Sequence, residues 1–210
     1  MIELLVALFL LFFFILALFI VWRFNARKYI SSGTVASAYD SWTKDKLLER
    51  LWGEHIHLGF YPEFKKNVDF RKAKVQFVHE LVKWSGLYKL PKGSRILDVG
   101  CGIGGSSRIL AKYYGFNVTG ITISPAQVKR ARELTSSKLS CNFQVMDALD
   151  LKFEDGTFDA IWSVEAGAHM NDKNKFADEM LRTLRPGGYL ALADWNSSCL
   201  LYTSPSPRDG

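Results

Sequence analysis

The chain is expected to be an α/β protein built on a parallel sheet, and three observations carry that expectation. Five short aliphatic or β-branched runs, SRILDVG, NVTGITI, NFQVMDA, FDAIWSV and GYLALAD, recur between Ser94 and Asp194. Helical periodicity fills the gaps after the first, second and fourth of them. A glycine turn, LDVGCGIGGSS, joins the first run to the first of these helices. The 210 residues allow one domain with appendages. The net charge of +6 is scattered among acids, with no single-sign run and no basic-aromatic array, so a nucleic-acid partner is not expected. Cys101, Cys141 and Cys199 are too few and too irregular for a disulfide framework or a zinc site, and fit a reducing compartment.

In chain order, residues 1–22 are expected to be a transmembrane anchor. Every residue from Leu4 to Trp22 is apolar, and 19 such residues span about 28 Å as a helix, close to the hydrocarbon thickness of a bilayer. A cleaved signal peptide is the alternative, against which stand the missing basic n-region and A-x-A site. Arg23, Arg27 and Lys28 are expected to place the following domain on the cytosolic side, or the stromal side of a plastid membrane. Residues 23–90 form a linker and a helical cap, with helices in VASAYDSW, DKLLERLWG and DFRKAKVQFVHELVKW. The last turns Phe77, Val78, Leu81 and Val82 inward and leaves His79 on the solvated face. Residues 91–196 form the core. Its helices run from Ser106 to Tyr114, from Pro125 to Leu134 behind an N-capping Ser124, and from Asp172 to Leu184, where Arg185-Pro186-Gly187-Gly188 stops the last. Right-handed crossovers put the strand ends on one rim. Residues 197–210, SSCLLYTSPSPRDG, lose the periodicity and read as a non-native tail, so the natural protein is expected to be longer.

The glycine turn bears on the ligand. Gly100, Gly102 and Gly105 satisfy the dinucleotide spacing G-x-G-x-x-G, which by itself is weak evidence. Asp98, two residues before the first glycine, would repel a pyrophosphate but can hold a cationic amine. A nicotinamide site also wants an acid about twenty residues on, where Thr122 stands.

LDVGCGIGG, TGITISPAQ, Asp147-Ala148, FDAIWSVEAGAHM and LRPGGYLALADW, in this order and spacing, resemble class I S-adenosylmethionine-dependent methyltransferases, which implies a Rossmann-like sheet. TVASAYDSWTKDKLLERLWGEHIHLGFY with VEAGAHM and the apolar N-terminus resembles, within that class, the cyanobacterial-type group acting on 2-methyl-6-phytyl- and 2-methyl-6-solanesyl-benzoquinol (MPBQ/MSBQ), siblings of the γ-tocopherol methyltransferases. The resemblance implies that Asp98, Gly100, Gly102 and Gly104 line the methionine half of S-adenosyl-L-methionine. Thr122, Ile123, Ser124 and Gln127 would meet its ribose and adenine, Asp147 and Ala148 its base, and Ser163 and Glu165 would close the site. Thr122 departs from the acid that many class I enzymes use for the ribose diol. In this class the fold continues past the fifth strand, so the 210-residue chain, cut after that strand, is expected to be poorly stable and inactive.

Methylating a quinol ring carbon requires electron density on the ring, most simply by removing a proton from the adjacent phenol. His55, His57 and His169 are candidate bases with Glu165. His55 and His57, in WGEHIHLGFY, read equally as a wall that satisfies backbone groups, and Trp52, Phe60 and Tyr61 would complete a lid with them. A metal is not expected, since no third ligand with metal-like spacing is near. The expected partners are a lipid-soluble prenyl-benzoquinol and a cyanobacterial or plastid membrane. A tocopherol or sterol methyltransferase, a nicotinamide-dependent oxidoreductase and a non-catalytic membrane scaffold remain as alternatives.

Overall fold

The computed structural model describes residues 9–18, 32–62 and 68–195. Met1–Thr34 and Val35–Gly210 are separate compact units. In the first, residues 9–18 are helical with exposed side chains. The rest of the expected 4–22 anchor lies outside the described residues, among which no helix is long and apolar enough to cross a membrane.

The cap helix α1 (Ser32–Lys44) belongs to the second unit from Val35 on, and α2 (Leu47–Trp52) and α3 (Phe70–Ser85) complete the cap. Asp69 starts α3 by accepting the Arg71 and Lys72 backbone N–H groups, and Gly86 ends it in the left-handed conformation. The core comprises β1 (Arg95–Val99), α4 (Gly105–Tyr114), β2 (Asn117–Thr122), α5 (Pro125–Leu134), β3 (Cys141–Val145), β4 (Phe158–Val164), α6 (Lys173–Thr183) and β5 (Leu184–Ala193). The sheet is parallel throughout, in the order β3-β2-β1-β4-β5.

Alternate strand residues build two apolar layers. Ile96, Val118, Ala160, Trp162 and Ala191 pack with Val78 and Val82 of α3 and Leu110 of α4. Leu97, Val99, Ile121 and Ile161 pack with Phe176 and Met180 of α6. Phe143 of β3 meets Val128 and Ala131 of α5. The chain crosses to one side of β1 through α4 and α5, and reaches the other side at β4. The carboxyl ends of β1 and β4 therefore flank a topological switch point, where open α/β sheets bind ligands.

Two expectations change. His79 is half-buried, its Nδ1 2.8 Å from the Tyr114 hydroxyl, because α3 packs over α4 and brings Tyr113 and Tyr114 beside the ring. Arg185-Pro186-Gly187-Gly188 is not a stop beyond a helix reaching Leu184. The helix ends at Thr183, Leu184 already pairs with Phe158, and the next pair is Ala160 with Tyr189, so the four residues form a bulge inside β5.

Candidate active site

Between Val99 and α4 the backbone turns through Gly100 at φ +79°, Gly102 at +55° and Gly104 at +81°, a region costly for side chains with a Cβ. The three glycines have different causes. At Gly100 a Cβ would sit 2.5 Å from that of Ala166, and at Gly104 it would run into the Phe143 ring at 2.7 Å. At Gly102 a Cβ would meet nothing within 4 Å, so this stretch of backbone faces open space. Asp98 ends β1 beneath the turn, 3% exposed, with Ser107 Oγ donating to its Oδ2 at 2.5 Å. Burial lifts its pKa to about 7, the Ser107 hydrogen bond opposing the shift. A buried acid so poised would be stabilised in its ionised form by an incoming cation.

The next rim is closed by hydrogen bonds. Thr122 Oγ1 donates to Gln127 Oε1 at 2.7 Å, and Ser124 Oγ accepts the Gln127 N–H while donating to Asp40 Oδ1 at 2.5 Å. Asp40 also accepts the Ala126 N–H at 3.1 Å, so a carboxylate from α1 caps the N-terminus of α5, where the helix dipole favours negative charge. Ile123 is half-buried between them. Past β3, Asp147 Oδ1 accepts the Leu149 N–H at 2.9 Å and Ala148 is 4% exposed. Ser163 is fully buried, its hydroxyl donating to the Val99 carbonyl at 3.0 Å, which ties β4 to β1.

His55 and His57 form a pair. His57 Nδ1 lies 2.7 Å from the Leu58 carbonyl, which can only accept, so that nitrogen carries the proton. His57 Nε2 then accepts from His55 Nδ1–H at 3.1 Å. Burial, followed by the neighbouring cationic groups, pushes the His55 pKa down to about 3. Burial also holds His57 below its ordinary value, against the Leu58 carbonyl and Glu165. Both rings are neutral at physiological pH. The His55 ring and the Glu54 carbonyl fill the place a Cβ on Gly105 would take, at 2.8 and 2.7 Å, so the pair forms a wall against the start of α4. Lys74, 4% exposed, donates to the carbonyls of Trp52 and His55 at 3.1 and 2.8 Å and holds this wall from behind.

Two more cap carboxylates reach the core. Glu49 takes Arg130 of α5 in a two-point contact at 2.8 and 2.6 Å. Glu54 takes Arg108 of α4 at 2.7 Å, and the same guanidinium donates to the Ile103 carbonyl in the glycine turn at 2.8 Å. With Asp40, three acids fasten the cap over the loops of the switch point. A cleft lined by Tyr39, Trp42, Leu48, Ile56, Ile103 and Gln127 opens between cap and turn.

The β4 rim gathers the remaining candidates. Glu165 adopts φ +52°, a left-handed conformation rare for a side chain with a Cβ, held by its N–H to the Ala193 carbonyl at 2.7 Å. Its Oε1 accepts the Leu58 N–H at 3.0 Å. His169 lies exposed on the short turn Gly167–His169, with Nε2 3.0 Å from the Tyr39 hydroxyl. Desolvation lowers the His169 pKa, opposed by Asp194, and desolvation with Glu165 raises that of Tyr39.

The expected residues thus separate into groups. Asp98 and the glycines share one turn, Thr122, Ser124 and Gln127 bond to one another, and Glu165 and His169 share the β4 rim. Ser163 and the His55–His57 pair are engaged internally. Sequence reasoning gave no role to Tyr39, Asp40, Lys74 or Arg108. Lys74 left a trace, a lysine at the i, i+4, i+7, i+8 positions of the stripe Lys74-Val78-Leu81-Val82, while Tyr39, Asp40 and Arg108 look like ordinary polar helix residues. Among the described residues no group of three His, Cys, Asp or Glu side chains could hold a metal.

Residues 97–192 match the family described as a methyltransferase domain. The chain is 60% identical over 172 residues to the 2-methyl-6-phytyl-1,4-hydroquinone methyltransferase of Synechocystis sp. (strain ATCC 27184 / PCC 6803 / Kazusa), an alignment covering 82% of this chain and 54% of that protein. It is 42% identical over 159 residues to the chloroplastic tocopherol O-methyltransferase of Arabidopsis thaliana, covering 71% of this chain and 46% of that one. The chain spans about half the length of these curated relatives. Among solved structures, the [4+2]-cyclase SpnF superposes with a TM-score of 0.68 at 31% identity, over 76% of this chain and 58% of that one.

Proposed function

Because this chain belongs to the class I S-adenosylmethionine-dependent methyltransferases, we propose that it binds S-adenosyl-L-methionine across the glycine turn and methylates the ring of a prenylated benzoquinol. The observation that carries the cofactor reading is the buried Asp98 beneath a turn whose Gly102 faces open space, an arrangement that suits a ligand with a cationic amino end approaching the backbone closely. Asp98, Gly100, Gly102 and Gly104 would hold that end. Ile123 and Asp147 would meet the nucleoside, with Ala148 behind them. Thr122, Ser124 and Gln127 would shape this rim while exchanging one of their mutual bonds for a ribose hydroxyl. The cofactor supplies a methyl on a sulfonium.

The chain's own contribution is positioning, exclusion of water and handling of one proton. The cap, fastened by Asp40, Glu49 and Glu54, covers the turn, with the neutral histidine pair as its inner wall. Burial holds His55 far below the ordinary imidazole range, which makes it a poor acceptor for a phenolic proton and favours its reading as a wall. Glu165, and His169 with the Tyr39 hydroxyl beside its Nε2, are the groups proposed to receive the acceptor's phenolic proton.

The identity to the Synechocystis protein supports a 2-methyl-6-prenyl-benzoquinol as acceptor, of the tocopherol and plastoquinone pathways; the lipid tail of that acceptor is the reason a cyanobacterial or plastid membrane is proposed as the place of reaction. The relation to the Arabidopsis enzyme favours a second reading, methylation of a tocopherol. Labelled S-adenosylmethionine supplied with prenyl-benzoquinols and tocopherols to the chain extended to the length of these relatives, with products identified by mass spectrometry, separates them. Ring methylation of a prenyl-benzoquinol is expected. Label on tocopherol alone would move the acceptor, and label on neither would remove the reading.

Gly102→Leu tests the cofactor placement. The side chain would enter open space, so the fold should survive with a left-handed penalty of about 1–2 kcal/mol, while cofactor binding is lost. Normal affinity measured by calorimetry would show that the ligand lies elsewhere.

A further inference from the structure

We propose that a strip formed by residues 50–61 and the first turn of α3 is a docking face for an anionic lipid bilayer, placed so that a lipid-tailed acceptor passes from the bilayer directly to the Glu165 rim. The proposal rests on the lipid acceptor proposed above. Leu51, Trp52, Leu58, Phe60, Tyr61 and Phe70 are large apolar or aromatic residues between 39 and 54% exposed. Their contacts make them one surface. The Lys74 ammonium lies 5.6 Å from the Trp52 ring and 5.1 Å from the Phe70 ring, and Arg71 donates to the Arg50 carbonyl while lying over Phe70. The Phe60 N–H donates to the Ala73 carbonyl of α3. At its inner edge, Leu58 donates its N–H to Glu165, so the strip begins where the acceptor must react.

Charge selects the occupant. Residues 50–61 and 70–74 contain Arg50, Arg71, Lys72 and Lys74 and a single acid, Glu54, which is already paired with Arg108. Asp69, just before them, caps the helix. Lys74 is buried beneath the rings, leaving Arg50, Arg71 and Lys72 to face anionic headgroups. Exposed aromatic rings bordered by cations suit the headgroup region, where the rings enter the acyl boundary and the cations remain at its surface.

The test uses the full chain with Cys199 replaced by serine. A single environment-sensitive fluorophore is attached at Leu51→Cys, at Phe70→Cys or at Trp84→Cys. Cys101 is buried and burial raises the Cys141 thiol pKa to about 11, which keeps both slow to label. Trp84 is 79% exposed at the opposite end of the same helix, about 21 Å along its axis from Phe70. The probe is a phosphatidylcholine vesicle with phosphatidylglycerol, compared with phosphatidylcholine alone, each with brominated acyl chains as quencher. Labels at 51 and 70 should shift to the blue and be quenched, more strongly with the anionic lipid, while the label at 84 should not. Quenching at 84 but not at 51 and 70, or vesicle binding that leaves all three labels in water, would overturn the proposal, as would quenching at 51 and 70 that ignores lipid charge or no vesicle binding at all. The readout is independent of catalysis. In the chain extended to the length of its relatives, insertion without methyl transfer would sink the acceptor reading and leave the docking face, and methyl transfer with dry labels would do the reverse.

Discussion

Asp98→Asn is expected to stabilise the ligand-free protein and to cripple cofactor binding. Burial raises this carboxyl from the ordinary range to about 7, so between about pH 4 and 7 the folded chain holds a proton that the unfolded chain has released. Stability therefore falls as pH rises through that window. The penalty is absent below it and complete above it, at most about 4 kcal/mol for a shift of roughly three units. The asparagine can still accept the Ser107 hydroxyl, and thermal melts at pH 5 and pH 8 should show it removing this loss. A cation beside Asp98 favours the ionised form, so wild-type affinity for S-adenosylmethionine should weaken about tenfold per pH unit below 7. The asparagine variant should bind on the order of a hundredfold more weakly at pH 8, since a charge-assisted contact contributes roughly 1.5–3 kcal/mol, and its affinity should be flat with pH. An unchanged dissociation constant at pH 8 would detach Asp98 from the ligand.

The second large effect is expected at the β4 rim. In the chain extended to the length of its relatives, His169→Ala should lower kcat by about 10²–10⁴-fold, the usual range for loss of a positioned acid–base group, and should abolish the inflection in the pH–rate profile. Tyr39→Phe, which removes the hydroxyl facing His169 Nε2, should give a smaller fall in kcat with a shifted inflection. His55→Ala should behave differently. It leaves His57 Nε2 without its donor and opens the wall against Gly105, costing about 1–3 kcal/mol of stability and raising the KM for cofactor more than it lowers kcat. If His55→Ala abolished turnover while His169→Ala left rate and pH profile intact, the roles of wall and base would have to be exchanged.

These contrasts show how much of the site the sequence can express. The turn that holds Asp98, Gly100, Gly102 and Gly104 is local, so its residue types and spacing declare it before any fold is known. The capping of α5 by Ser124 and the apolar stripe of α3 are legible for the same reason, since each depends on neighbours within two turns of helix. Other features stayed hidden where partners lie far apart. Ser163, expected to meet cofactor, bonds a β1 carbonyl 64 residues away. His79, expected in solvent, meets a tyrosine 35 residues on. Tyr39 and Asp40 gave no signal because His169 and Ser124, their partners, lie 130 and 84 residues away.

The sequence by itself determined the parallel α/β class, the glycine turn and the presence of an acid beneath it, because hydrophobic periodicity and backbone sterics act over a few residues. Only the tertiary structure decided what each titratable group can do. Desolvation depends on which elements close around a side chain, and it raised the Asp98 carboxyl to about 7 and lowered the His55 imidazole to about 3. The same closure brought Asp40, Glu49 and Glu54 across from the cap and left Glu165 in a left-handed conformation beside Tyr39 and His169, a juxtaposition of distant segments that no local pattern encodes.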